Sequence, residues 1–238
     1  MATLGIIGSG NIGSAVARLA VSCGETVVVA NSRGPESLGE LVAELGPSSS
    51  AGTIDQAAAA KLVVLSVPLF AIPSLPSGLL KNQIVLDTTN YYPSRDGRVA
   101  ELDSDERTTS QLVLDWLGGD ARVVKVFNNI LAHHIPQLAR PVGVAARTAL
   151  PVASDDDEAK TVAVELIERL GFETVDAGSL SESWRFEPEA AAYTRMYLAD
   201  PATPVERFLE APGGPVSVDR LRSTLASATR VRVAGRIF

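Results

Sequence analysis

The sequence predicts a doubly wound α/β fold of Rossmann type, with a mostly parallel sheet. Three observations carry that prediction. Short β-branched runs are apolar throughout, Ala/Leu/Glu-rich segments alternate with them, and a glycine-rich turn directly follows the first run. Uniformly apolar strands suit a parallel sheet covered on both faces, whereas a half-exposed strand would alternate. Strand–helix–strand repetition then implies right-handed crossovers.

Strands are expected at Leu4–Ile7, Thr26–Ala30, Leu62–Val67, Ile84–Leu86 and Val123–Val126, with a weaker one near Ser48–Ala51. Helices are expected near Asn11–Ser22, Glu36–Leu45, Ile54–Ala60 and Thr109–Leu117. Arg147–Ala153 and Phe172–Val175 read as two further strands around a helix. In that helix Ala163, Leu166, Ile167 and Leu170 recur at i, i+3, i+4 and i+7, Ser154 offers an N-cap to Asp155, Asp156 and Asp157, and Gly171 supplies the stop. After Gly178 the pattern weakens. Helices are expected over Glu189–Leu198 and Val216–Ala228, separated by Pro201, Pro204, Pro212 and Pro215. Arg230–Phe238 reads as a strand, a partner-binding arm or a tail. The expected organisation is a nucleotide-binding domain over 1–178 and a small, mostly helical C-terminal region over 179–238. Val216, Leu221, Leu225 and Val231–Phe238 there need cover from the parent domain or a second chain, and a homodimer contact is expected.

Composition removes several function classes. The 238 residues carry 21 basic and 28 acidic side chains, a net charge of −7 that disfavours nucleic acid and anionic membranes as partners. Cys23 is the sole cysteine, so no internal disulfide forms. No apolar stretch approaches 18 residues and no leader-like segment opens the chain, so a cytoplasmic protein is expected. His133 and His134 are the only histidines; adjacent residues on a helix do not share a face, and no metal is expected. Ser66 and Ser179 lack the G-x-S-x-G context of a serine hydrolase.

The motif with chemical content is Gly8-Ser9-Gly10-Asn11-Ile12-Gly13, a G-x-G-x-x-G between the first strand and the first helix. Gly8 permits the tight turn, Gly10 lets the backbone approach a pyrophosphate, and Gly13 lets the helix pack on the sheet. The second strand ends in Asn31-Ser32-Arg33, without the carboxylate that would accept from a ribose 2′-hydroxyl. Arg33 offers a cation and Asn31 and Ser32 neutral hydrogen bonds, which selects NADP over NAD. Three further strand ends converge on the same crevice. Ser66, Val67 and Pro68 would brace adenosine and ribose. The Asp87–Tyr92 stretch, with Thr88, Thr89 and Asn90, and the Phe127-Asn128-Asn129 loop would lie where nicotinamide meets its redox partner. Thr88, Asn128 and Asn129 are the candidate catalytic residues, placing rings and amides without titrating; Asn90 is a candidate cofactor contact.

The motifs Ile6–Gly13, Asn31–Pro35, Val67-Pro68, Asp87–Pro93, Val124–Ile130, Leu170–Phe172 and Asp176–Gly178 together resemble the coenzyme F420-dependent NADP oxidoreductase family, over about residues 3–187. The resemblance implies a Rossmann-type NADP domain, a smaller C-terminal region, a dimer, and a deazaflavin placed against the nicotinamide. It implies that Asn31, Ser32 and Arg33 hold the 2′-phosphate and that Phe127–Asn129 lie near the redox centre. Hydride transfer between NADP(H) and F420 is therefore the first expectation. Two alternatives stay open. One is an NADPH-dependent reductase of a small imine, carbonyl or flavin-type acceptor, needing a proton source such as Tyr91, Tyr92 or His133. The other is a non-enzymatic NADP-binding sensor, whose slot over the nicotinamide would be filled by protein.

Overall fold

The computed structural model describes residues 3–233. Eight strands form one sheet in the order β3-β2-β1-β4-β5-β6-β7-β8. They are β1 (Leu4–Ile7), β2 (Val27–Ala30), β3 (Ser49–Ala51), β4 (Leu62–Leu65), β5 (Ile84–Asp87), β6 (Arg122–Lys125), β7 (Ala149–Ala153) and β8 (Glu173–Gly178). β1 to β6 are parallel, and the order reverses between β1 and β4, the crevice where Rossmann folds take ligands. β7 meets β6 antiparallel at the single pair Lys125↔Ala153, and β8 returns parallel to β7. Pro151, at the middle of β7, has no amide hydrogen to contribute to a ladder.

The apolar strands divide their side chains between two cores. Leu4, Ile6, Val64, Leu86 and Val124 enter one, while Ile7, Val63, Leu65, Val85 and Val123 enter the other. The first core is covered by α1 (Asn11–Ser22), α2 (Gly39–Leu45), the short α7 (His134–Leu138), α8 (Asp157–Arg169) and α9 (Val218–Ala226). The second is covered by α3 (Ile54–Ala58) and α6 (Thr109–Trp116), with the single turns α4 (Pro93–Asp96) and α5 (Ala100–Asp103) beside them. Gly5 sits mid-strand because α3 crosses β1 there: a Cβ on Gly5 would stand 1.9 Å from the Ala57 carbonyl oxygen. α3 and α6 each open on a capping box, Thr53 with Gln56 and Thr108 with Gln111.

Three expectations need correction. α8 is capped by Asp156, whose carboxylate accepts from the Ala159 amide; Ser154 instead donates to the Val123 carbonyl and accepts from the Asp156 amide, tying β7 to β6. Glu189–Leu198 is not an α-helix, and only a 3₁₀ turn over Thr194–Tyr197 forms. Its backbone groups are taken by distant partners: the Thr194 amide donates to the Asn129 carbonyl, and Leu198 bridges Gly213. Val216, Leu221 and Leu225 are buried in the first core with β7 and β8, so the chain itself covers them and they provide no reason for a second copy. The expectation for the last residues falls mostly on 234–238, outside the described residues.

Candidate active site

The N-terminus of α1 stands at the reversal between β1 and β4. Gly8 has φ 107° and its Cβ would lie 2.1 Å from the Ser66 carbonyl oxygen; a Cβ on Gly13 would lie 1.9 Å from the Gly8 carbonyl oxygen. Both glycines are demanded by the protein's own packing. Gly10 is different: its Cβ would meet nothing within 4 Å and its φ is an ordinary −73°. Among the described residues nothing crowds that position, which leaves the Gly10 backbone open to an approaching ligand. α1 also starts without a side-chain cap and without an acidic residue in its first turn, leaving its positive end for an anion.

A cavity of about 450 Å³ opens on one side of this turn, lined by Gly8, Ser9, Gly10, Asn31, Ser32, Arg33, Ser66, Val67 and Pro68. Asn31 is locked in place: its amide nitrogen donates to the Ser9 and Ser37 hydroxyls at 3.0 Å each, and its oxygen accepts from the Arg33 amide at 2.9 Å. The exposed Arg33 guanidinium forms no hydrogen bond or ion pair among the described residues, so its charge is available at the rim of the cavity. These features fit a dinucleotide carrying a 2′-phosphate.

A second cavity of about 470 Å³ lies beyond Asn11 and Ile12, walled by Asn90, Tyr92, Asn128, Ile130, Leu131 and His133 and, from the C-terminal segment, by Tyr193, Thr194 and Leu209. Asn11 and Ile12 line this slot and not the first cavity. Phe127 turns the chain at the end of β6 with φ 60°, a conformation costly for a bulky residue, and buries its ring edge-on against Phe172. That turn brings Asn128 beside Asn90. The two residues are joined twice: Asn128 Nδ2 donates to Asn90 Oδ1 at 3.1 Å, and Asn90 Nδ2 donates to the Asn128 backbone carbonyl at 2.7 Å. Asn128 also donates to the Phe186 carbonyl, and its own Oδ1 is buried with no partner among the described residues.

Other expected residues sit one layer back. Thr88 is buried and bonds through both its amide and its hydroxyl to the Leu65 carbonyl, so it joins the ends of β4 and β5 and does not line the slot. Asn129 is buried too, donating to the Ala192 carbonyl and the Tyr197 hydroxyl, away from the slot. Of the three proton sources weighed, Tyr91 is buried against the Gly97 carbonyl and Asp103, and burial raises its pKa. His133 and His134 both bond through Nε2 to the Ala211 carbonyl at 2.9 Å, anchoring the C-terminal segment. Burial also holds His134 below the usual imidazole range, against the opposing pull of that carbonyl. Tyr92 alone of the three tyrosine and histidine candidates bonds across the slot, its hydroxyl 2.5 Å from that of Tyr193.

Sequence reasoning missed Tyr193, placed in a helix that does not form, and the buried ion pair beneath the loop. Lys125 Nζ lies 3.1 Å from Asp87 Oδ2 and 2.5 Å from the Thr89 carbonyl, both charged side chains being fully buried. Ser110 donates to Asp87 Oδ2, and Asp87 Oδ1 accepts from the Thr89 amide. Charged residues at the ends of two neighbouring parallel strands, Asp87 and Lys125, were the available signal.

Among the described residues no helix is long and apolar enough to cross a membrane, and no group of three His, Cys, Asp or Glu side chains could hold a metal ion. A family model described as "NADP oxidoreductase coenzyme F420-dependent" matches residues 3–91. A hypothetical protein of Sinorhizobium meliloti is 30% identical, with 81% of this chain and 93% of that one covered and a TM-score of 0.68. A putative F420-dependent NADP-reductase from Arthrobacter sp. FB24 is 19% identical over 77% of this chain and 87% of that one, TM-score 0.64. A reductive aminase from Aspergillus terreus, solved with NADPH and ethyl levulinate, is 18% identical over 77% of this chain and 57% of that one, TM-score 0.55. With the fold, the glycine cradle and the Sinorhizobium relative in agreement, the chain belongs to the F420-dependent NADP oxidoreductase-like family of Rossmann-fold proteins.

Proposed function

We propose that the chain is an NADP(H)-dependent oxidoreductase that reduces a small ketone, aldehyde or imine seated in the slot. The observation that carries this reading is the pair of cavities flanking the Gly10 end of α1, one fitted to a phosphorylated nucleotide and the other of a size suited to a small molecule. Gly8 to Gly13 would hold the pyrophosphate, Asn31, Ser32 and Arg33 the 2′-phosphate, and Ser66, Val67 and Pro68 the adenosine side. Asn90 and Asn128 would meet the nicotinamide end. The bound dinucleotide supplies hydride; the chain orients the acceptor and excludes water. Thr88 and Asn129 would serve as braces for Asn90 and Asn128. The apolar lining of Ile12, Ile130, Leu131 and Leu209 suits an acceptor with an apolar body. An open slot also speaks against a sensor, in which protein would fill it.

A second reading keeps F420 as the redox partner. Its support is the family description over residues 3–91, a stretch that holds the nucleotide cradle but none of the C-terminal wall of the slot. The deciding experiment incubates the protein and NADPH with F420, FMN and a panel of carbonyls and imines, following NADPH loss. Turnover of carbonyls or imines is expected; turnover with F420 alone would overturn the proposal. Cofactor choice is tested separately: Arg33→Ala should weaken NADP binding by about 1.5–3 kcal/mol and leave NAD nearly unchanged by calorimetry. Equal losses would refute the assignment of Arg33.

A further inference from the structure

We propose that the hydroxyls of Tyr92 and Tyr193 form a proton-delivering couple for the acceptor, with Tyr193 supplied by the C-terminal segment. This rests on the carbonyl or imine reading above and adds to it the group that completes the chemistry. Both tyrosines line the slot, and their oxygens are 2.5 Å apart. Tyr92 follows β5 and Tyr193 lies 101 residues later, so the contact is made only by docking the C-terminal segment on the sheet.

The surroundings place a hydrogen-bond donor against both phenol oxygens and a guanidinium over one ring. Asn90 Oδ1 is committed to Asn128, which fixes the Asn90 amide so that its nitrogen faces the two hydroxyls, 3.3 Å from that of Tyr193 and 3.5 Å from that of Tyr92. An amide nitrogen only donates; one of its hydrogens goes to the Asn128 carbonyl at 2.7 Å, and the other is left to stabilise negative charge on a phenol oxygen. Arg95 adds to this: its guanidinium carbon stands 4.7 Å from the centre of the Tyr92 ring, and the same side chain donates to the Asn90 carbonyl at 2.8 Å. Asp96 accepts from Arg95 and from the Tyr92 amide, holding both in place.

The step balances. The acceptor carbon takes hydride from the reduced nicotinamide dinucleotide, and the π electrons of the C=O or C=N bond move to the heteroatom. That heteroatom takes the proton of the nearer phenol. The resulting phenolate recovers a proton from its partner, which is reprotonated by solvent. One proton and one hydride are consumed for each alcohol or amine formed.

The test compares two acceptors in the full chain: a ketone, and an N,N-dialkyl iminium ion of similar shape, which becomes a neutral amine on hydride addition and needs no proton. In Tyr92→Phe and Tyr193→Phe, single-turnover reduction of the ketone should fall by about 100-fold or more, while iminium reduction stays within a few-fold of wild type. A solvent deuterium effect should appear in wild type with the ketone and be absent with the iminium ion. NADPH binding, read by fluorescence titration without any acceptor, should be unchanged in both variants. In the oxidised-nucleotide complex, adding the ketone should perturb the tyrosine absorbance of wild type and not of the double variant. Equal losses with ketone and iminium would make the tyrosines merely structural and overturn the couple. Unchanged ketone reduction would overturn it too. A wild-type protein that reduces neither acceptor would overturn the parent reading and the couple together, whereas active wild type with insensitive variants removes the couple alone.

Discussion

Gly10 and Gly13 are two residues of one motif held by different forces. Gly13 is needed by the fold, because its Cβ would collide with the Gly8 carbonyl; Gly10 faces open space. Gly13→Ala should therefore destabilise the protein by roughly 3 kcal/mol in urea unfolding. Gly10→Val should cost less than about 1 kcal/mol, yet abolish NADPH binding by fluorescence titration, since the side chain fills the approach to the backbone. Normal binding by Gly10→Val would place the phosphate cradle elsewhere. A third residue-scale expectation concerns Lys125. Lys125→Met strands Asp87 as a fully buried carboxylate with, among the described residues, the Ser110 hydroxyl and the Thr89 amide to satisfy it. A loss of about 3–5 kcal/mol is expected, and a loss under about 1 kcal/mol would show that the pair contributes little.

Among the elements, α8 shows how a helix start joins two strands. Asp156 caps the helix and binds Arg122 of β6 through two hydrogen bonds, Nε at 2.6 Å and a terminal nitrogen at 2.9 Å. The Arg122 bond, with help from the Ala159 amide, lowers the Asp156 pKa from its ordinary 3.8 to about 2. A carboxylate lowered in the folded state stabilises it above the unfolded pKa, and that contribution fades as pH falls from about 4 towards 2. Asp156→Asn should thus flatten this part of the acid-unfolding curve while costing stability at neutral pH; an unchanged acid limb would refute the coupling. The helix itself was legible from Ala163, Leu166, Ile167 and Leu170, whose spacing leaves one apolar face. Its cap was not, because Ser154 and Asp156 are both good caps and the choice depends on Val123 and Arg122, more than 30 residues away.

For the whole molecule, the C-terminal segment is a wall of both the core and the slot. Ala192, Met196, Tyr197, Val216, Leu221 and Leu225 share the first core with β7 and β8, and Tyr197 donates to the Ala149 carbonyl. Truncation after Glu187 should expose this face and yield aggregate or a dye-binding, loosely packed state, measured by light scattering and near-ultraviolet dichroism. A well-folded truncated monomer would contradict the shared core. The same segment supplies Tyr193, Thr194 and Leu209 to the slot, so the acceptor side is assembled by residues far from the glycine motif.

Local physics determines what the sequence alone established. Apolar strands, a glycine turn before a helix and a second strand ending in Asn31-Ser32-Arg33 are each short-range patterns, and they define the parallel sheet and the cavity beside the glycine turn. Tertiary structure decided the rest. Whether Asn128 or Asn129 reaches the slot and whether 189–198 forms a helix both depend on partners distant in the chain. The Asn129 carbonyl takes the Thr194 amide, the Asn129 side chain turns to Ala192 and Tyr197, and Asn128 is left facing Asn90. Backbone groups inside a core must be paired by something, and at the end of this sheet the partner is the folded C-terminal segment rather than the next turn of a helix.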